Sequence, residues 1–274
     1  MCLILFSFHE NPEIPFILAA NRDEFFNRPT AAAHYWEDQP ELLAGRDLVG
    51  GGTWLGITRN GRFAAITNVR EPSIVVENAL SRGELTRDFL TGQQSPQEYL
   101  QAVEEKQMLY NGFNLLVGEL TPESRSLWYL SNRQRGIQAL SSGVYGLSNH
   151  LLDSHWPKVD EGKQFISTAI EQHTETSAYH QQLRRFLEDP ALAADDKLPA
   201  TGVSIEREKA LSAAYIQLPG YGTRASTVLT ITGEQTIFSE KEYLLNGQQH
   251  NSTQSPYREF ILDTPTTAQA ASNV

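Results

Sequence analysis

Cysteine is nearly absent from this chain: among 274 residues there is one, Cys2. An internal disulfide is therefore excluded, which suits a reducing compartment and gives a cytoplasmic expectation. A thiolate metal cage is excluded for the same reason. The histidines are His9, His34, His150, His155, His173, His180 and His250. None makes a His-x-x-x-His pair beside a carboxylate motif, so no metal site is expected. Long apolar runs are missing too, since nothing approaches the ~20 residues of a membrane span. Basic charge is scarce: 22 Lys and Arg face 33 Asp and Glu, for a net charge of −11. That balance argues against nucleic-acid binding, which wants a basic face, and against an anionic membrane surface. There is no repeat and no long low-complexity linker. Gly50-Gly51-Gly52 lacks the Lys-Ser/Thr of a phosphate loop. It reads as a close approach of backbone, either to neighbouring strands or to a ligand. What remains is an ordinary globular balance, 40% hydrophobic and 20% charged, at a length that fits one domain over 1–274.

The position of the lone thiol is the informative feature. Methionine aminopeptidase removes Met1 when the second residue is small, and Cys qualifies. The mature chain would then begin with a nucleophile that carries a free α-amine. Such an amine has a pKa near ~7.7–8.0, low enough to act as a base at neutral pH. Nucleophile and base in one residue is the minimal apparatus of N-terminal-nucleophile (Ntn) catalysis. On this reading removal of Met1 alone exposes the amine, with no long segment to autoproteolyse. The alternative is a small buried apolar residue opening a strand.

Leu3-Ile4-Leu5-Phe6-Ser7-Phe8 is short and apolar, the mark of a buried strand. It is not a secretory signal, because no basic group precedes it and His9-Glu10-Asn11-Pro12 ends it early. Pro15-Phe16-Ile17-Leu18-Ala19-Ala20 reads as a second strand after that turn. Antiparallel pairing brings the end of the second strand back beside Cys2. At that end stand Asn21, Arg22, Asp23 and Glu24.

Met-Cys followed at this distance by Asn-Arg-Asp-Glu resembles the NRDE family, the transport-and-Golgi-organisation type. Further segments carry the same resemblance. They are Gly51-Gly52-Thr53-Trp54-Leu55-Gly56, Ile66-Thr67-Asn68-Val69-Arg70, Asn111-Gly112-Phe113-Asn114-Leu115-Leu116, Tyr145-Gly146-Leu147-Ser148-Asn149 and Gly222-Thr223-Arg224. They run from residue 1 to about 240, and nothing after Tyr257 adds to them.

The remaining elements follow from pattern. Thr53 to Thr58 and Arg62 to Asn68 read as strands around Arg59-Asn60-Gly61, and Asn-Gly is a hairpin cue. Ser81-Arg82-Gly83-Glu84 fits a capping box before Leu85, Phe89 and Leu90. Ser95-Pro96-Gln97-Glu98 opens a second helix, with Tyr99, Val103 and Met108 as its buried face. Strands are expected at Phe113 to Val117, Ser126 to Leu130, Gly143 to Leu147, Ser226 to Ile231 and Gln235 to Ser239. Helices are expected at Trp156 to Gln172 and Ala178 to Leu187. Residues 189–223 read as mostly irregular and as a mobile loop near a pocket. The chain after about 262 reads as a flexible tail. Strands, helices, strands, helices, strands suit an α+β sandwich. The resemblance implies its four-layer αββα, Ntn-hydrolase-like form.

The resemblance also implies roles. In cysteine Ntn enzymes of the choloylglycine and penicillin-V acylase type, a carboxylate after the second strand holds the α-amine, and Asp23 fits. A late Arg faces the nucleophile there, and Arg224 is the match; it reads equally as a solvated loop charge. Arg22 could hold Asp23 or a ligand carboxylate, or form a structural salt bridge. Asn21 and Glu24 read as turn caps, Asn21 also as a ligand contact. Asn68 and Asn149 are candidate oxyanion donors, and both also read as turn residues. Trp54, Phe63 and Phe113 could wall a pocket for a flat apolar ligand.

Two functions follow. Members of the family have been connected to mobilising haem and to lipid homeostasis, so the resemblance implies non-covalent haem trafficking. No cofactor is required on that reading, since haem is cargo; there is no Cys-x-x-Cys-His attachment motif, and Cys2 or a His could be an axial ligand. The alternative is an enzyme, a cysteine Ntn hydrolase cleaving a linear acyl amide with Cys2 as nucleophile. Either way the partner is a small molecule.

Overall fold

A computed structural model describes residues 2–172, 176–243, 245–246, 249–250 and 256–263. The chain opens with β1 (Cys2–Phe8), β2 (Phe16–Phe25), β3 (Thr30–Trp36), β4 (Gln39–Asp47), β5 (Leu55–Thr58) and β6 (Arg62–Asn68). Helices α1 (Arg82–Thr91) and α2 (Pro96–Lys106) follow, then β7 (Phe113–Leu120), β8 (Arg125–Ser131), β9 (Gln138–Ala139) and β10 (Gly143–Leu147). Next come α3 (Pro157–Gln172), α4 (Thr176–Leu187) and the short α5 (Ile205–Ala210). The described chain closes with β11 (Gln217–Leu218), β12 (Tyr221–Ile231), β13 (Gln235–Glu242), β14 (Leu245–Asn246), β15 (Gln249–His250) and β16 (Arg258–Asp263).

Two antiparallel sheets result. One runs β10-β1-β2-β12-β13-β16, with β11 beside β12; the other runs β3-β4-β5-β6-β7-β8-β9. The alternation along β1 explains their stacking. Ile4, Phe6 and Phe8 meet Leu55, Ile57, Phe63 and Leu116 of the other sheet. Leu3 and Leu5 point the opposite way, onto Trp156, Val159 and Ile166 of the α3 layer. Both faces are dry, which is why β1 reads as a continuous apolar run rather than an alternating one. On the second sheet Ala64, Ile66 and Leu115 pack under Leu85, Phe89 and Leu100 of α1 and α2. The order of layers is thus helices, sheet, sheet, helices, the four-layer αββα sandwich. No helix among the described residues is long and apolar enough to cross a membrane.

Several expectations are corrected. Asn21 to Glu24 do not cap a turn; they continue β2 to Phe25. Ser81 precedes α1 without any side-chain cap bond, whereas Ser95 and Glu98 form a reciprocal capping box on α2. Met108 falls beyond the end of α2, in a 3-10 turn, and is exposed. The 189–223 segment is mostly irregular, as expected, and is tied to the body: Tyr215 N–H donates to Asp189 O at 2.9 Å, and Leu211 and Ile216 are buried. It also contains α5, β11 and the start of β12. Strands β3, β4 and β16 have no counterpart in the sequence reading. The expected tail beyond residue 263, His173 and the side chain of His250 lie outside the described residues.

Candidate functional site

Register builds the site. Cys2 pairs with Arg22, Arg22 with Ala225, and Ala225 with Glu242. Directly opposed residues share a face, and Cys2 lies on the face of Ile4 and Phe6, which looks at the other sheet. Four side chains therefore form one row, about 14 Å from Cys2 to Glu242 at the usual strand spacing. At this end the sheets part. They enclose a cleft of about 580 Å³ whose walls include Cys2, Arg22, Trp54, Asn68, Arg82 and Arg224. A roomier groove of about 870 Å³ runs along α3 and α4 past Phe165 and Phe186, in the helical layer rather than between the sheets and without a nucleophile on its walls.

Cys2 is 8% exposed at the base of the cleft. Burial pushes its thiol pKa up; the Asp23 carboxyl adds to this, while Arg22 and the Asp23 N–H favour the thiolate. Arg22 lies 3.8 Å from Glu24. Arg28 and Asp47 close the rim, Nη2 to Oδ2, at 2.6 Å.

Asp23 reaches the cleft through its backbone, but its carboxyl turns away and accepts from Thr223 Oγ1 at 2.8 Å. Beneath it lies a buried charge cluster. Burial raises the Asp23 pKa, and Lys158, Thr223 and Arg70 oppose that rise. Lys158 is pushed down to about 8 by its own burial, and its Nζ donates to Leu211 O at 3.0 Å. Arg70 pairs with Glu208 at 2.5 Å and lies 4.7 Å over the Trp156 ring.

Arg224 occupies a bulge between Thr223 and Ala225, where the extra residue re-aims its side chain. Its Nη1 donates to the carbonyls of Phe25, Phe26 and Arg28, and its Nη2 to Thr30 Oγ1 at 3.1 Å. It thus organises the β2–β3 turn on the cleft wall.

The sequence candidates divide. Cys2, Arg22, Asp23, Trp54, Asn68 and Arg224 line the one cleft. Asn149 does not: its Nδ2 donates to Asn68 O at 3.0 Å, and its neighbour Ser148 donates from Oγ to Cys2 O at 3.0 Å. It ties strand ends together behind the thiol. Asn21 is buried, its Nδ2 donating to Leu187 O and Ala214 O at 2.8 Å each. Phe113 packs in the α1–α2 core and Phe63 between the sheets, so neither walls the cleft. His150 and His155 lie outside it, as does every other described histidine. No group of three or more His, Cys, Asp or Glu among the described residues is placed to hold a metal. Gly52 shows what its motif is for: a Cβ there would stand 2.3 Å from the Gly83 backbone, at the start of α1. The glycines let loop and helix meet.

Arg82, Lys158 and Glu240 are missing from the sequence reading. Arg82 is half-buried at the cleft, where desolvation lowers its pKa. Its signal was its place in the first turn of a helix following Ser81. Lys158 in an amphipathic helix gives no signal at all.

The family described as Transport and Golgi organisation 2 matches residues 1–244. The chain belongs to that family. Its relatives include a Transport and Golgi organization protein 2 homolog of Bos taurus, 38% identical, with 89% of this chain and 94% of that one covered. The Homo sapiens homolog is 34% identical, with 96% and 100% covered. The Drosophila melanogaster protein is 28% identical, with 91% and 94% covered. Among solved structures, a Caenorhabditis elegans N-acylethanolamine-hydrolyzing acid amidase ortholog is similar at a TM-score of 0.43 and 9% identity, covering 84% of this chain and 92% of that one. A mutant conjugated bile acid hydrolase of Clostridium perfringens is similar at 0.40 and 10%, covering 95% and 96%. In this member of the family the Asn-Arg-Asp-Glu stretch is the edge of the cleft: Arg22 and Glu24 face into it, Asn21 and Asp23 into the helical layer beneath.

Proposed function

We propose that this protein binds and hands on a small, carboxylate-bearing apolar molecule in the Cys2 cleft, and that the molecule is haem, as the family resemblance implies. The observation that carries the reading is the cleft itself. It sets the chain's lone thiol at the base, Trp54 on a wall, and the guanidinium groups of Arg22 and Arg82 above. An aromatic wall suits a flat ring, and guanidinium groups suit its carboxylates. Cys2 Sγ is the soft donor available to iron there. Its thiol is held protonated by burial, so any bond to iron would be weak and cargo readily released. The relatives are named for transport, in keeping with a carrier. A free thiol also suits a reducing compartment such as the cytoplasm.

The test is a titration with haemin followed by absorbance. Saturable binding is expected, weakened by Arg22→Ala, with a Soret maximum that moves in Cys2→Ala because the axial ligand sets the iron's electronic state. Absence of saturable binding would reject the carrier.

One observation favours a second reading. The Asp23 N–H beside Cys2 Sγ is a donor at the place where a thiol-derived charge would develop. With Met1 removed, Cys2 would be the nucleophile of an amidohydrolase acting on linear acyl amides. Intact-mass measurement of cellular protein, together with acyl-amide assays of wild type and Cys2→Ser, decides it. Retained Met1 excludes the mechanism.

A further inference from the structure

Large apolar side chains are exposed at eleven described positions, and their distribution is lopsided. Phe25 ends β2, and Leu48 and Val49 sit between β4 and β5. Ile74, Val75 and Leu80 lie between β6 and α1; Met108 and Leu109 lie between α2 and β7. The pairings Cys2 with Arg22, Thr30 with Asp47, and Asn68 with Phe113 put all four segments at the Cys2 end of the sandwich. The opposite end, with its turns at 9–15, 37–38, 59–61, 121–124 and 232–234, exposes none. Phe25, Val49 and Leu80 also line the cleft, and Leu80 N–H donates to Leu109 O at 3.0 Å. The apolar tips therefore ring the cleft mouth.

Solvent-facing apolar side chains of this size, gathered around one opening, mark a surface that something covers. Separate loop tips around a hole do not form a groove for a helix or a strand. Two ion pairs close among these segments: Arg28 with Asp47, and Arg133 Nε with both Glu71 oxygens at 2.8 and 2.7 Å. The chain as a whole carries −11, which repels an anionic surface. An apolar ring with paired charges on an acidic protein matches a surface that is apolar inside and uncharged in net. We propose that this rim docks on a zwitterionic phospholipid bilayer, tips inserted at the headgroup boundary and the cleft mouth facing the lipid. The docking does not depend on what the cleft holds.

The test is flotation of the full chain with phosphatidylcholine vesicles, at low and high salt. Wild type is expected to float, and to do so equally at both salt concentrations, because apolar insertion is not screened. Val75 and Met108 are 77% and 76% exposed, so Val75→Asp with Met108→Asp leaves the fold intact, as circular dichroism would verify. That double variant is expected to lose at least about tenfold in vesicle partition. Ile261→Asp, on the exposed edge strand β16, is expected to float like wild type. Failure of wild type to float overturns the proposal, as does a double variant that floats unchanged. A dimer in solution that the double variant dissociates, without vesicle binding, would assign the rim to a second copy of the chain and overturn it equally.

Discussion

Cys2 shows how far one residue's chemistry is set by its surroundings. The thiol is buried, and burial outweighs the help that Arg22 and the Asp23 N–H give the thiolate. With Met1 in place, alkylation by iodoacetamide should be slow at pH 7 and accelerate only above the ordinary thiol range near ~8.5. Arg22→Ala should move that profile further alkaline, since it removes a charge that favours the thiolate. A thiol that titrates below pH 8 would contradict this account. Much of this was legible beforehand, because a lone cysteine behind Met1 and a carboxylate at a strand end need no tertiary knowledge. Lys158 was illegible. Its sequence neighbours suggest a solvated helix face, and only the chain from 205 to 223, folded over it, makes it a buried charge beside Asp23.

Elements carry the next share of the argument. Helix α4 lays His180 against β12, where Nε2 meets Thr230 Oγ1 at 3.1 Å. Desolvation, with Arg184 nearby, lowers the His180 pKa to about 4, against ~6.5 in an unfolded chain. The unfolded state thus binds more protons between those values. Stability from this residue is full above pH 6.5 and falls as pH drops towards 4, by about 3 kcal/mol over the whole window. Urea melts at pH 7 and pH 4.5 should show that loss, and His180→Gln should reduce it. An equal acid loss in the variant would shift the cause elsewhere. Helix α1 supplies a second element-scale case. Gly52→Ala would drive a methyl into the Gly83 backbone, forcing loop and helix apart at a cost of about 1–3 kcal/mol. Thermal denaturation measures it, and a neutral result would show that the helix start yields freely. Two of the elements missed in sequence, β3 and β4, have a compositional cause. Thr30–Trp36 holds three alanines, poor strand formers, and Pro40 interrupts β4 near its start. Their pairing, not their composition, makes them strands.

At the scale of the whole molecule, two sheets must hold together while parting at one end to leave a cleft. The inter-sheet core does most of this, and β1's unbroken apolar run announced it. A polar stitch at the cleft's side does the rest, and nothing in the sequence pointed to it. The irregular register of β3 between Ala31 and His34 frees Ala33 from the ladder. Its N–H donates to Glu240 Oε1 at 2.6 Å, and its carbonyl accepts from Arg258 Nη2 at 2.8 Å. Both partners belong to the other sheet. Burial raises the Glu240 pKa, with Glu242 adding to the rise and the Ala33 N–H and Arg258 opposing it. A carboxyl whose folded pKa lies above its unfolded value contributes stability that is present in acid and lost as pH rises through the folded pKa. At neutral pH the ionised form is therefore a burden, although its oxygen is needed. Glu240→Gln keeps an oxygen for Ala33 and removes the charge; it should raise the melting temperature at pH 7, with an advantage that shrinks in acid. Glu240→Leu removes the acceptor as well and leaves the Ala33 N–H buried without its bond, a loss of about 1–3 kcal/mol. If Gln destabilises as much as Leu at pH 7, the ionised carboxylate itself joins the sheets, through its attraction to Arg258.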